Sequence, residues 1–129
     1  MVVDTSAILA ILFDESEAED FSRRIAMAET LSVSSATLLE VTAVLRHRTK
    51  TRDDRDLMNF LAVVSPTIIP FDEAQYMIAR EAFHQFGKGS GHRARLNFGD
   101  CFAYALARHL KQPLLFKGND FNHTDLAIA

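Results

Sequence analysis

Short apolar runs alternate with longer amphipathic segments along this chain, and this alternation limits most strongly the folds it can adopt. Strands separated by helices predict an α/β domain with a mostly parallel sheet. Four runs have β-strand character and a fifth candidate stands near the C-terminal end, so we expect four or five strands. The runs are MVV (1–3), LSVS (31–34), TIIP (67–70), PLLF (113–116) and LAIA (126–129).

The segments between the strand runs have helical periodicity. In residues 15–29, for example, Ala18, Phe21 and Ile25 recur on one face. Asp72 follows the third strand run and is the expected N-cap of the next helix. Besides a helix that starts near Ser6, the predicted helices span residues 15–29, 36–48, 53–64, 72–86 and 100–110.

Length and composition favour one globular domain. The 129 residues are 48% hydrophobic, enough to bury a core without covalent cross-links. The single cysteine, Cys101, excludes an internal disulfide and is typical of a reducing compartment. No signal peptide is visible, and the longest apolar run, Ala7–Phe13, is much shorter than a membrane span. We expect a single cytoplasmic domain over residues 1–129, with no membrane partner.

Four acidic residues stand at the boundaries of the predicted elements. Asp4 follows the first strand, Glu40 lies early in the 36–48 helix, Asp100 opens the 100–110 helix, and Asp120 lies in the turn KGND. Strand ends and helix starts of a parallel sheet meet at one edge, so these carboxylates can converge. Converging carboxylates repel each other unless a hard cation such as Mg²⁺ or Mn²⁺ binds them. Such a cation can activate water against a phosphodiester.

Each of these acids also has an ordinary structural interpretation. Asp4 can cap the helix that follows it, and Thr37 with Glu40 matches a capping box. Asp100 can complement a helix dipole, and Asp120 is a common type of turn residue. Capping alone does not explain why four acids occur at matching boundaries, so we favour a shared metal site.

The neighbours of Asp4 and the remaining residue patterns refine this hypothesis. Thr5 and Ser6 carry hydroxyls that can orient a ligand or a water beside the metal. The five histidines lack the spacing of a zinc site, and the sequence contains neither a GxSxG motif nor a P-loop. Asp125, in HTDL, is a fifth candidate acid that ranks below Asp120.

Basic residues suggest where a polyanion would bind. The net charge is −3, but without the four acids the rest of the chain is slightly positive. The glycine-rich segment 86–100 is predicted to be a mobile loop that leads directly to Asp100. Its basic residues are therefore the preferred candidates for contact with phosphate. Lys117 is a further candidate. The loop cations are Lys88, Arg93 and Arg95; a second basic cluster contains Arg46, Arg48, Lys50, Arg52 and Arg55.

Four segments together resemble a known family. MVVDTSAILAIL, SSATLLEV, LNFGDCFAYALA and PLLFKGNDFNHTDL occur in this order along nearly the whole chain. They are similar to PIN-domain proteins of the VapC type, the toxins of VapBC toxin–antitoxin pairs. The opening DTSA and the pair GDCFAYALA and LLFKGNDF are the most specific pieces.

The resemblance implies a three-layer α/β/α sandwich and a Mg²⁺-dependent endoribonuclease, in which Mn²⁺ can substitute. It places the family's acidic quartet on Asp4, Glu40, Asp100 and Asp120, and its hydroxyl on Ser6. It also implies a homodimer, a VapB-type antitoxin that makes any DNA contacts, and cleavage of a tRNA or ribosomal RNA to leave a 5′-phosphate and a 3′-hydroxyl.

Two other functions remain open at this point. A metal-dependent phosphatase or phospho-acceptor domain also uses an Asp after a strand, but it usually has a second acid within a couple of residues, where this chain has Thr5 and Ser6. A non-catalytic protein-binding module would use the same acids only as helix caps.

Overall fold

A four-stranded parallel sheet forms the centre of the molecule, as a computed structural model of residues 1–129 describes it. The strand order is β3-β2-β1-β4, so β1 is an interior strand. The elements along the chain are β1 (Val2–Val3), α1 (Thr5–Leu12), α2 (Ala18–Met27), β2 (Ser32–Ser34), α3 (Ser35–Thr49), α4 (Arg55–Val64), β3 (Thr67–Ile69), α5 (Glu73–Phe86), α6 (Asp100–Leu110) and β4 (Leu114–Leu115).

Helices cover both faces of the sheet, because successive strand residues point to opposite sides. Val2 and Leu114 pack into a cluster formed mainly by α5 and α6. Val3 and Leu115 pack on the other face, with side chains of α1 to α4. Burying one such side chain contributes about 1.5–3 kcal/mol. The structure therefore confirms the three-layer α/β/α sandwich.

The segment LAIA does not form a fifth strand. Ile128 makes one isolated bridge to Leu114, and the backbone N–H of Leu114 donates to Ala127 O at 2.9 Å. The sheet thus has four strands, with the C-terminal segment lying against β4.

The predicted helices are present with adjusted ends. The 15–29 prediction is shortened to α2, whereas α6 has the predicted bounds. Asp72 is confirmed as the N-cap of α5, since its Oδ1 accepts from the Gln75 N–H at 2.9 Å. None of the helices is both long enough and apolar enough to cross a membrane.

The glycine-rich segment between α5 and α6 is irregular but anchored to the core. Ala94 and Leu96 are buried. The Leu96 N–H donates to Phe86 O, and the Lys88 N–H donates to Leu96 O, both at 2.9 Å. These contacts fix the approach of the chain to α6 and so to Asp100.

Candidate active site

A pocket of about 510 Å³ opens where β1 ends, between the N-terminal ends of α1 and α6 and the face of α3 that carries Glu40, Val44 and Arg48. This edge is the one predicted from the positions of the acids. Eleven residues line the pocket, and most of them are polar: Asp4, Thr5, Ser6, Leu9, Glu15, Glu40, Val44, Arg48, Asn97, Asp100 and Lys117.

Asp4 uses only one of its two carboxylate oxygens within the protein. Oδ2 accepts from the Ser6 N–H at 2.9 Å and from the Ser6 hydroxyl at 2.5 Å, and this caps α1. Oδ1 is buried and has no hydrogen-bond partner. Burial raises the pKa of Asp4, and the charge of Asp120 raises it further. Helix capping therefore uses Oδ2 and leaves Oδ1 as a buried hydrogen-bond acceptor without a partner.

Glu40 is held by the residue that follows Asp4. The Thr5 hydroxyl donates to Glu40 Oε2 at 2.7 Å. Burial raises the pKa of Glu40, and repulsion from Asp4 adds to this effect. The capping-box interpretation of Glu40 is wrong, because Ser34 is the N-cap of α3 and its hydroxyl accepts from the Ala36 N–H at 3.3 Å.

Gly99 lets the Glu40 carboxylate approach the start of α6. A Cβ atom at this position would lie 1.9 Å from Glu40 Oε1 and 2.3 Å from Oε2. A side chain at position 99 would displace the Glu40 carboxylate, so the glycine before Asp100 allows Glu40 to keep its position in the pocket.

Asp100 opens α6 and exchanges hydrogen bonds with Asn97. Its Oδ2 accepts from the Asn97 N–H at 2.7 Å, and its own N–H donates to Asn97 Oδ1 at 2.9 Å. Burial raises the pKa of Asp100 to about 7, and the charges of Asp4, Asp120 and Glu40 contribute in the same direction. The carboxyl group is thus poised to titrate near neutral pH or to accept a cation.

Asp120 lies outside the pocket lining. It is exposed in the turn after β4, but its charge raises the pKa of both Asp4 and Asp100, so it belongs to the same electrostatic environment. The structure brings three of the four predicted acids to one pocket and leaves the fourth beside it.

The donor set suits a hard divalent cation. Carboxylate oxygens are the ligands that Mg²⁺ prefers, and the buried, unpartnered Oδ1 of Asp4 is an acceptor that a cation would satisfy. The acids do not lie close enough together to coordinate one ion, because no three His, Cys, Asp or Glu side chains are positioned to hold a metal ion. Mutual repulsion of carboxylates favours such separation.

The predicted phosphate-binding cations fall into two groups. Lys88, Arg93 and Arg95 are exposed and do not line the pocket. Lys117 lines it, but its ammonium donates to Glu15 Oε2 at 2.8 Å and to Glu17 Oε2 at 2.7 Å.

Sequence reasoning missed Glu15 and Asn97 as pocket residues and ranked the cluster that contains Arg48 too low. The sequence could have indicated Asn97, because an Asn three residues before Asp100 has the spacing of a helix-capping residue. Glu15 and Arg48 had no such local signal, because their ion pair at 3.5 Å joins residues far apart in the sequence.

Asp125 is directed elsewhere. Its Oδ1 accepts from the Tyr104 hydroxyl at 2.5 Å, its Oδ2 lies 3.5 Å from Arg108 Nη1, and it does not line the pocket. Cys101 is buried, and burial raises its pKa to about 11, as expected of a packing residue.

Comparison with known proteins identifies relatives over the whole chain. Residues 1–126 match the model of the PIN domain. The VapC ribonuclease Mb0625 of Mycobacterium bovis and the ribonuclease VapC28 of Mycobacterium tuberculosis are each 45% identical to this chain over 129 residues, which cover 100% of this chain and 97% of the relative.

Solved structures share the fold at low identity. VapBC2 from Rickettsia felis, bound to a DNA fragment from its promoter, has a TM-score of 0.75 at 16% identity, covering 99% of this chain and 96% of the other. VapC20 of Mycobacterium tuberculosis, described as a sarcin-ricin loop cleaving toxin, has a TM-score of 0.73 at 18% identity, covering 99% and 97%.

Proposed function

Because this chain belongs to the PIN-domain family, as a VapC-type ribonuclease, we propose that the pocket around Asp4 hydrolyses RNA phosphodiester bonds with a bound Mg²⁺ ion. We further propose that residues 1–129 form one cytoplasmic domain that acts as the toxin of a toxin–antitoxin pair. The observation that carries the catalytic proposal is the buried, unpartnered Asp4 Oδ1 beside Glu40 and Asp100.

The residues of the pocket take distinct roles in this proposal. The cation supplies a Lewis acid for the phosphodiester and lowers the pKa of the attacking water. Asp4 and Asp100 hold the cation directly, whereas Glu40 and Asp120 act through water. Ser6 fixes the Asp4 carboxylate, and Thr5 fixes Glu40, through the hydrogen bonds described above. The products would be a 5′-phosphate and a 3′-hydroxyl.

Asp4→Asn tests this assignment. The amide oxygen can still accept from Ser6, so the fold should persist, while RNA cleavage by the purified protein should fall by more than about 100-fold. Mn²⁺ at about 100 times its Kd should stabilise the wild type by about 2.7 kcal/mol in thermal melts, and stabilise the variant much less.

Asp125→Asn is the matched control, because it removes a carboxylate that contacts Tyr104 rather than the pocket. The control should keep both cleavage and the Mn²⁺ response. Undiminished RNA cleavage by Asp4→Asn would overturn the assignment. Family membership leaves no observation in favour of a phosphatase, a phospho-acceptor or a non-catalytic module.

A VapB-type antitoxin is the proposed partner, and we assign any DNA contact to it. Structures that share this fold include two DNA-bound VapBC complexes, one of them with a fragment of its promoter. A groove of about 740 Å³ between α1, α2 and α4 supports the proposal, because its lining is mostly apolar and includes Ile11, Ile25, Phe60 and Val63. Co-expression should yield a complex that protects this groove from hydrogen exchange.

A homodimer is the proposed quaternary state. Phe98, Tyr76 and Phe83 are exposed around a second apolar groove, and Phe98 stacks edge-on with Phe102 at 4.9 Å between ring centres. Exposed aromatic surface of this kind is typical of an interface. Light scattering should give a dimer for the wild type and a larger monomer fraction for Phe98→Ser.

The RNA itself, a tRNA or a ribosomal RNA, would be identified by sequencing RNA ends.

A further inference from the structure

Two cations line the acidic pocket, and they differ in how fully the protein itself uses them. The Lys117 ammonium donates to two carboxylates, those of Glu15 and Glu17, at 2.8 and 2.7 Å. Two short charge-assisted bonds occupy most of what an ammonium offers. Lys117 is therefore engaged in holding the segment between α1 and α2 against the pocket.

Arg48, in the last turn of α3, is held more loosely. Its Nη1 lies 3.5 Å from Glu15 Oε1, which is longer than a good hydrogen bond. Its guanidinium carbon lies 4.9 Å from the centre of the Phe13 ring. A ring at this distance fixes the position of a guanidinium without using its N–H donors. Half of the side chain is exposed, so the donors remain accessible from the pocket mouth.

The charge of the pocket explains why a cation is needed at this place. Asp4, Glu40 and Asp100 present carboxylates that repel an approaching phosphodiester. Arg48 is the lining cation with unused donors, whereas the loop cations Lys88, Arg93 and Arg95 do not line the pocket. A guanidinium also matches phosphate with two parallel N–H bonds, which an ammonium cannot do.

We propose that Arg48 binds a backbone phosphate of the RNA next to the bond that is cut, with Phe13 and Glu15 holding its guanidinium in place. This inference rests on the proposed ribonuclease function and extends it by naming the residue that receives the substrate backbone. Because the contact is to phosphate, it contributes affinity and position rather than base preference.

RNA binding without catalysis gives the first test. A fluorescein-labelled oligouridylate is titrated in EDTA against the wild type and Arg48→Gln, by anisotropy at several salt concentrations. We expect the variant to bind about three- to tenfold more weakly. The slope of log K against log salt should become shallower by about 0.7, the value for one lost phosphate contact to a single strand.

Arg46→Gln is the matched control, since it removes the same charge from the same helix. Arg46 lines a different pocket, with Asp53 and Asp54. The control should keep the wild-type slope, and Arg48→Lys should restore part of the affinity. Equal changes in Arg46→Gln and Arg48→Gln would mean a general charge effect and would overturn the proposal.

Cleavage assays separate this proposal from the one on which it rests. If the wild type cleaves RNA and Arg48→Gln raises the KM with little change in kcat, Arg48 binds substrate as proposed. An unchanged KM, or a variant impaired only in binding the antitoxin, would overturn the Arg48 proposal alone. If the wild type cleaves no RNA with Mg²⁺ or Mn²⁺, the ribonuclease proposal fails, whatever the oligouridylate binding shows.

Discussion

The same type of side chain behaves in opposite ways at the two sides of the pocket. The inner acids, which are the buried Asp4 and Asp100 and the partly buried Glu40, have pKa values raised first by burial. The rim acids, Glu15 and Glu17, have pKa values lowered first by hydrogen bonds from Lys117. The rim acids thus have a cation of the protein as partner, whereas Asp4, Glu40 and Asp100 form no ion pair with any side chain.

This contrast shows where an external cation is needed. Exposed carboxylates that are paired with a cation of the protein contribute little to stability, and most of their charge is already balanced. Carboxylates that are buried and unpaired cost stability until a proton or a metal ion binds them. The difference distinguishes a structural ion pair from a site built for a ligand, although both consist of acids in or beside one pocket.

The largest effect on RNA cleavage expected from this comparison comes from moving Glu40 out of the pocket. Gly99→Ala places a methyl group where the Glu40 carboxylate lies, 1.9 Å from Oε1. The Glu40 carboxylate ends a flexible side chain that can rotate away, so the free energy of unfolding should fall by at most about 1 kcal/mol, whereas RNA cleavage should fall by at least about tenfold. Urea denaturation and a cleavage assay provide the measurements.

The double variant Gly99→Ala with Glu40→Ala supplies the control for this clash. Removing the carboxylate should recover much of the lost stability, although not the activity, because the two residues are in direct contact. Additive losses of stability in the double variant would show that Glu40 does not lie against Gly99.

Titration of Asp100 should change the stability of the metal-free protein. Its pKa is about 7 in the folded protein against an ordinary value of 3.8, so between these values the folded state binds more protons than the unfolded state. Without metal, the Asp100 contribution to stability should therefore decrease as pH rises from 4 to 7, by at most about 1.4 kcal/mol per pH unit.

Asp100→Asn should remove this dependence while keeping an oxygen that accepts from Asn97. Thermal melts in EDTA across this pH range should converge for the two proteins near pH 4 and diverge toward pH 7, with the variant more stable. A variant that loses stability relative to the wild type as pH rises would contradict the raised pKa.

The smallest effect is expected at the rim. Lys117→Gln removes the shared cation of Glu15 and Glu17, so their pKa values should rise toward the ordinary 4.5. Overall stability should hardly change, because the pairs are solvent-accessible and screened. Carboxyl ¹³C titration by NMR measures the pKa shifts, and Lys88→Gln should leave both values unchanged.

Local patterns in the sequence predicted much of the fold. The bounds of α6 followed from its periodicity and from Pro113 beyond its end. The Asp72 cap followed from residue type and position. The LAIA run was misleading, because a short apolar segment is equally suited to packing beside β4 with a single bridge.

The sequence by itself determined the alternation of strands and helices and placed Asp4 and Asp100 at element boundaries, because these features depend on near neighbours in the chain. The tertiary structure decided that Thr5 holds Glu40, that Lys117 is bound by two glutamates, and that Arg48 pairs with Glu15 at the same pocket. Such contacts join residues 33 to 102 positions apart, and no local pattern encodes them. The packing of helices on the sheet sets these distances, and with them which charges remain unpaired.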